Sequence, residues 1–414
     1  MSKKLSLLVP AVVLGFSANA FAWSSIALLG KTTHTKIAIK ALEVTDLNQY
    51  PDMDYHSDGI RNGSTSEAGH EKIHNGGGKL KDWWDGADGR GTLKGGVLPN
   101  YTQLKIDDAY MNIGRMCHLT QDQAVPAHAG HIPHSIVVKL PADGVETYVK
   151  KDTTFGEIPL IASDRSPYEY YQALQNDTRS HLPEWVSPVT GKPFWVEAED
   201  GGRFRDVTLG PIGTYGTGTD TFLQSAKENL KAGGLSAREI LYRQLGMAAG
   251  YTRALIESAS KTLPPLVSGF GVYPNVLAPG HKAEISFTAL ENRTRHVKYS
   301  VTISPKDGQP VAAFTGDVNL DKPRPSFNNT GDNAPAVKPA DESLFNKHVT
   351  IKWDGTVAGR QLPEGTYMVQ VQLTDDDGNI VPDSVNADDT HDNDTLRVLS
   401  VVSTEPEDMG LSFN

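Results

Sequence analysis

Apolar residues recur at helical spacing in several segments up to about residue 262, and beyond residue 266 they alternate with polar ones. The first such segment, HTKIAIKALEV, places Ile37, Ala38, Ala41 and Leu42 on one side behind a Thr32-Thr33 start, which predicts a helix with His34 in its first turn. A second helix is predicted from about Asp107 to Asp122, with Ile113, Met116, Cys117 and Thr120 on neighbouring faces and Pro126 beyond its end. The last begins at Ser236, where Glu239 completes a capping box, and carries Ile240, Leu241, Leu245, Ala248, Ala249, Leu255 and Ile256 into a core. The stretches NGSTSEAGHEKIHNGGG, DGADGRGTLKGG and GPIGTYGTGTD between these helices read as loops, where ligands commonly bind.

The composition changes at Pro264-Pro265. Past it, Ala283/Ile285/Phe287/Ala289, Val297/Tyr299/Val301/Ile303 and Tyr367/Val369/Val371/Leu373 alternate with polar residues, as half-buried antiparallel strands do. Leu396/Val398 and the turns PKDGQ, LPEGT and DDDGN extend the pattern to a β-sandwich. The predicted organisation is thus a mainly α N-terminal domain over residues 23–262, an all-β sandwich over 266–402 and a tail over 403–414, with no internal repeat.

Residues 1–22 carry two lysines, an apolar run and the ending Ala20-Phe21-Ala22, the pattern of a secretory signal peptide cleaved before Trp23. A secreted or periplasmic protein is the expectation, without a transmembrane segment. Loss of Lys3 and Lys4 moves the formal charge from −11 to −13, which disfavours nucleic acid as a partner. Cys117 is the only cysteine, so no disulfide forms within the chain. Beside His118 it reads as a buried apolar filler.

Nine of the 13 histidines fall in the helical region, and the densest stretch is MCHLTQDQAVPAHAGHIPH. His118 and Asp122 stand four residues apart, so on a helix they share a face and their side chains can converge on one cation. His128, His131 and His134 follow, and the second carboxylate oxygen of Asp122 is free to bridge to another metal held partly by His128. A lone His-x3-Asp pair is more often a surface hydrogen bond; the three further histidines favour metal. Mixed nitrogen and oxygen donors suit zinc rather than calcium.

The His-x3-Asp-x5-His segment formed by His118, Asp122 and His128, with its QAVPAH proline, resembles the core of the bacterial zinc-dependent phospholipases C. The likeness spans residues 23–262 through scattered motifs and implies a phospholipase C-like helical fold with two or three zinc ions. It also implies that Trp23, exposed by cleavage, ligates zinc through its amino group and carbonyl, and that His34 joins it. Asp58 and His70 match the family's next aspartate and histidine, with Asp54 and His74 as competing choices. Glu146 matches a glutamate of the family, but the position four before it is Ala142 rather than histidine. His134 is the chosen substitute, with His131 and Asp143 as alternatives.

In that reading His118, Asp122, Asp58 and His70 hold one metal, and Asp122 bridges to a second bound by Trp23 and His34. His128, Glu146 and His134 hold a third. Asp58 is also assigned, by resemblance, the catalytic role of orienting or deprotonating the attacking water. The implied activity is hydrolysis of phospholipids such as phosphatidylcholine, with a membrane surface as the place of encounter. Two other readings stay open: a single-strand-preferring zinc nuclease, a family with the same N-terminal tryptophan and three-zinc design, and a secreted binding or adhesion protein with structural zinc. No Gly-x-Ser-x-Gly elbow occurs, which leaves a serine hydrolase without support.

WDGTVAGRQLPEGTYMVQVQLTDDDGN resembles the immunoglobulin-like module of flagellar hook-capping proteins, which implies a spacer or adhesion surface. Calcium at Asp375, Asp376 and Asp377 or at Asp388, Asp389, Asp392 and Asp394 is the less favoured reading, since acidic turns are usually solvated. Oligomeric state is not legible in the sequence.

Overall fold

The computed structural model describes residues 32–65, 80–86, 95–130, 144–149, 152–186, 194, 231–232, 235–322, 343–382 and 394–403. The helices are α1 (Thr33–Glu43), α2 (Pro51–Tyr55), α3 (Ser57–Thr65), α4 (Leu80–Asp85), α5 (Leu98–Thr102), α6 (Ile106–Asp122), α7 (Pro126–Ala129), α8 (Gly144–Val149), α9 (Tyr170–His181) and α10 (Ala237–Thr262). Thr32 caps α1, its hydroxyl accepting from the Thr35 N–H, as the Thr32-Thr33 start predicts. Ser236 and Glu239 form the expected reciprocal box at the start of α10. Helix α1 packs on α3, α6 and α10, and the four share one core with Ile37, Ile60, Tyr110, Ile113, Leu245 and Ala249.

The last four residues of α3, 62–65, fall in a stretch predicted as loop. Gly63 does not break the helix but lets it lie directly on α6. A Cβ on Gly63 would stand 2.0 Å from the Met111 carbonyl oxygen, and one on Gly114 would stand 2.3 Å from that of Ile60. Only hydrogen side chains admit this backbone-to-backbone crossing.

Two short strands, β1 (Lys231–Ala232) and β2 (Leu235–Ser236), pair before α10, and the C-terminal strands are β3 (Leu266–Tyr273), β4 (Val276–Leu277), β5 (Ala283–Glu291), β6 (His296–Pro305), β7 (Ala312–Asn319), β8 (Phe345–Trp353), β9 (Thr356–Val357), β10 (Arg360–Gln361), β11 (Gly365–Asp375) and β12 (Leu396–Val401). They form a five-stranded sheet ordered β4-β12-β11-β6-β7 and a three-stranded sheet ordered β3-β5-β8, with β9 and β10 paired as a separate short ribbon. Phe287 and Ile285 from one sheet and Val301, Val369 and Leu399 from the other enter a single core, so the predicted sandwich holds. Tyr367 closes the turn before its own strand by donating its hydroxyl to the Pro363 carbonyl at 2.9 Å.

A buried polar knot joins the two parts. Asp52 of α2 accepts from the Tyr110 hydroxyl at 2.6 Å, from the Ser260 hydroxyl of α10 at 2.8 Å and from Asn292 Nδ2, just after β5, at 3.0 Å. Next to it lies Glu291, 1 % exposed, whose Oε1 accepts from the N–H groups of Arg293 and Thr294. Among the described residues no helix is long and apolar enough to cross a membrane.

Candidate metal centre

His34 enters the core because it lies in the first turn of α1, where Thr33, Thr35 and Ile37 are buried with it. His118 and Asp122 face the same point from the last turns of α6, the i,i+4 relation placing them one above the other. All three side chains are fully buried. His34 Nε2 stands 3.4 Å from Asp122 Oδ1 and His118 Nε2 stands 3.8 Å from Asp122 Oδ2, so each imidazole faces a different carboxylate oxygen. The two rings stack with centroids 3.9 Å apart. One ligand atom from each residue lies within 4.8 Å of the others.

What stands behind the rings decides which nitrogen points inward. His118 Nδ1 donates to the Ser64 carbonyl oxygen at 2.9 Å, and His34 Nδ1 donates to the Gln121 amide oxygen at 2.8 Å. A carbonyl oxygen only accepts, so both Nδ1 atoms carry the proton and a neutral ring turns its Nε2 lone pair toward Asp122. Metal-ligating histidines are held in this way. A cation placed between a buried carboxylate and two such nitrogens would offset the desolvation of the carboxylate. The set of two nitrogens and one carboxylate fits zinc.

Around this point the polar layer continues. Gln175 Nε2 of α9 donates to Gln123 Oε1 at 2.9 Å. The Tyr171 phenol, 1 % exposed, has its pKa raised by burial and then by the charge of Asp122. Burial also raises the Cys117 thiol, which makes it the inert core filler expected of it.

The other expected residues divide three ways. His128 in α7 is buried but outside the group formed by His34, His118 and Asp122. Asp58 is corrected: it lies exposed on α3, paired with Arg61. On that helix Ile60, Gly63 and Ser64 are the buried residues, and the Ser64 carbonyl holds His118. The competing Asp54 is exposed too, and the buried aspartate of this region is Asp52 in the interdomain knot. Trp23, His70, His74, His131, His134 and Asp143 lie outside the described residues, as does the side chain of Glu146 on α8.

Ser64, Gln121 and Tyr171 were not among the expected residues. Gln121 had a signal, since it adjoins Asp122; Ser64 acts through its main chain, which no residue type betrays. In the acidic turn after β11, Asp375 accepts from Asn379, Asp376 pairs with His296 and Asp377 pairs with Arg293, so these carboxylates are engaged within the protein. Asp394 pairs with Arg397, while Asp388, Asp389 and Asp392 lie outside the described residues.

No family model matches the chain, and no curated protein matches it. Among solved structures, a CARDB domain of a Pyrococcus furiosus protein in complex with di-metal ions is 15% identical, with 34% of this chain and 93% of that chain covered and a TM-score of 0.19. An alkylpurine DNA glycosylase from Pseudomonas fluorescens, bound to DNA containing an abasic site analog, is 9% identical over 90% of this chain and 97% of its own, also with a TM-score of 0.19. At such scores neither likeness bears on fold or function.

Proposed function

We propose that the protein is a secreted zinc-dependent phosphodiester hydrolase acting on phospholipids such as phosphatidylcholine. The observation that supports this most is Asp122, which offers one oxygen to each of two imidazoles whose Nδ1–H groups are tied to carbonyl acceptors. His34, His118 and Asp122 would hold metal, and Ser64 and Gln121 orient the rings. In this reading Trp23, His70, His128, His134 and Glu146 complete two or three ion positions. Zinc, when bound, lowers the pKa of water toward 7 and neutralises charge on a phosphoryl group. The chain's own part is to fix the ligand tautomers and to keep bulk water from a site whose three ligands are fully buried. The negative formal charge, −11 for the full sequence, disfavours a polynucleotide substrate.

The test is metal analysis of the purified protein together with parallel assays on phosphatidylcholine and on single-stranded DNA, each with and without chelator. Chelator-sensitive release of a phosphorylated headgroup is the expected result. Cleavage of DNA alone moves the substrate to nucleic acid. The complete burial of His34, His118 and Asp122 also favours a second reading, structural zinc, because structural sites are closed. Stoichiometric zinc with neither substrate cleaved would decide for it.

A further inference from the structure

A cavity of about 430 Å³ opens between the α1–α2 connection and the sandwich, where Asn48, Pro51 and Tyr55 face Arg293, Arg295, Lys322 and Phe345. None of its lining residues belongs to the candidate metal centre, and none is acidic. That is unusual in a chain with 50 acidic and 39 basic residues. The guanidinium of Arg293 lies 6.0 Å from the centre of the Tyr50 ring and that of Arg295 lies 5.5 Å from the centre of Phe345. Aromatic faces at these distances attract the two guanidinium groups and help to hold them at the cavity wall. Arg293 spends part of its charge on Asp377, but among the described residues Arg295 and Lys322 are not ion-paired. The neighbouring Asp321 is taken by Lys347.

We propose that this interdomain cavity is an anion site for a phosphate dianion, carried by a free phosphate or by a phosphomonoester headgroup. Three cations converge on one polar cavity of the size that small ligands occupy. Phosphate bears a charge near −2 and three strong acceptor oxygens, and arginine meets it with paired N–H groups. The site does not depend on the hydrolase reading. It also spans both domains, with Asn48, Pro51 and Tyr55 on one side and Arg293, Arg295, Lys322 and Phe345 on the other, so a bound dianion would hold them together.

The experiment is calorimetric titration of the purified protein, its metal retained, with inorganic phosphate at low salt; phosphate bound at the metal centre would not respond to substitutions in the cavity. Saturable binding is expected, accompanied by a rise in melting temperature. Arg295→Ala and Lys322→Ala should each weaken it by about tenfold, whereas Lys306→Ala, which removes the same charge from the exposed turn between β6 and β7, should leave it within about twofold. Both cavity variants alter exposed side chains, so they should fold; circular dichroism checks this. A parallel arm measures sedimentation with phosphatidylcholine vesicles with and without phosphatidic acid. Binding confined to the phosphatidic acid vesicles and lost in Arg295→Ala identifies the headgroup as the source and supports the proposal. Failure of both probes to bind, or binding that the three substitutions weaken equally, overturns it.

Discussion

Each imidazole at the centre is held in one tautomer by an acceptor of a different kind. His118 uses the main chain of Ser64, which substitution cannot remove, whereas His34 uses the side chain of Gln121, which it can. Gln121→Ala should therefore weaken zinc binding about 10–100-fold with the fold intact, measured by competition against a chromophoric chelator. Asp122→Asn removes the charge that both rings face and should yield protein with little zinc by elemental analysis. The pairing of His118 with Asp122 was legible because helical periodicity alone puts residues four apart on one face. His34 came from resemblance, and the structure brings it to Asp122, 88 positions away in sequence, through the packing of α1 on α6. Asp58 also came from resemblance, and the structure leaves it exposed on α3, paired with Arg61.

At the scale of elements, the glycine contact between α3 and α6 sets the position of the Ser64 carbonyl. Gly63→Ala puts a methyl group 2.0 Å from the Met111 carbonyl oxygen, a clash with backbone that no side-chain rotation relieves. The expected cost is about 1–3 kcal/mol or more in urea unfolding. Because Ser64 is the next residue, displacement of α3 should also lower zinc affinity. Gly59→Ala is the matched control, since its Cβ would meet nothing nearer than the Met111 nitrogen at 3.4 Å, an ordinary contact, and a helix gains from alanine. It should be neutral or stabilising. Capping made α1 and α10 legible, since Thr32, Ser236 and Glu239 are hydrogen-bonding groups at fixed offsets. Gly63 was read as part of a loop because the same residue type serves turns and close helix crossings, and only the partner Gly114 tells them apart. Strand alternation was likewise plain, but the order β4-β12-β11-β6-β7 depends on pairings that alternation does not encode.

Over the whole molecule, the division into a helical and a β part was visible in the change at Pro264-Pro265, whereas the knot that joins them was not. Asp52, Tyr110, Ser260 and Asn292 are ordinary polar residues in sequence and become partners only when the sandwich docks. Glu291 sits at that junction. Burial is the main cause that raises its carboxyl from 4.5 to about 8; the Arg293 and Thr294 N–H groups act against the shift, and the charges of Asp375 and Asp52 add to it. Burial raises Asp52 and Asp375 as well. A carboxyl whose folded pKa is raised binds its proton more tightly in the folded state, so this contribution to stability is complete below about 4.5 and is lost as pH climbs through about 8. His296, raised mainly by Asp376, works in the same direction. Glu291→Gln keeps an oxygen to accept from Arg293 and Thr294 but cannot ionise. The variant should match the parent near pH 4.5 and become progressively more stable than it toward pH 8, with a flatter profile of urea midpoint against pH. A parallel displacement of the two profiles would mean that Glu291 does not change its charge across that range, and the alkaline loss would then have to come from Asp52, Asp375 or His296.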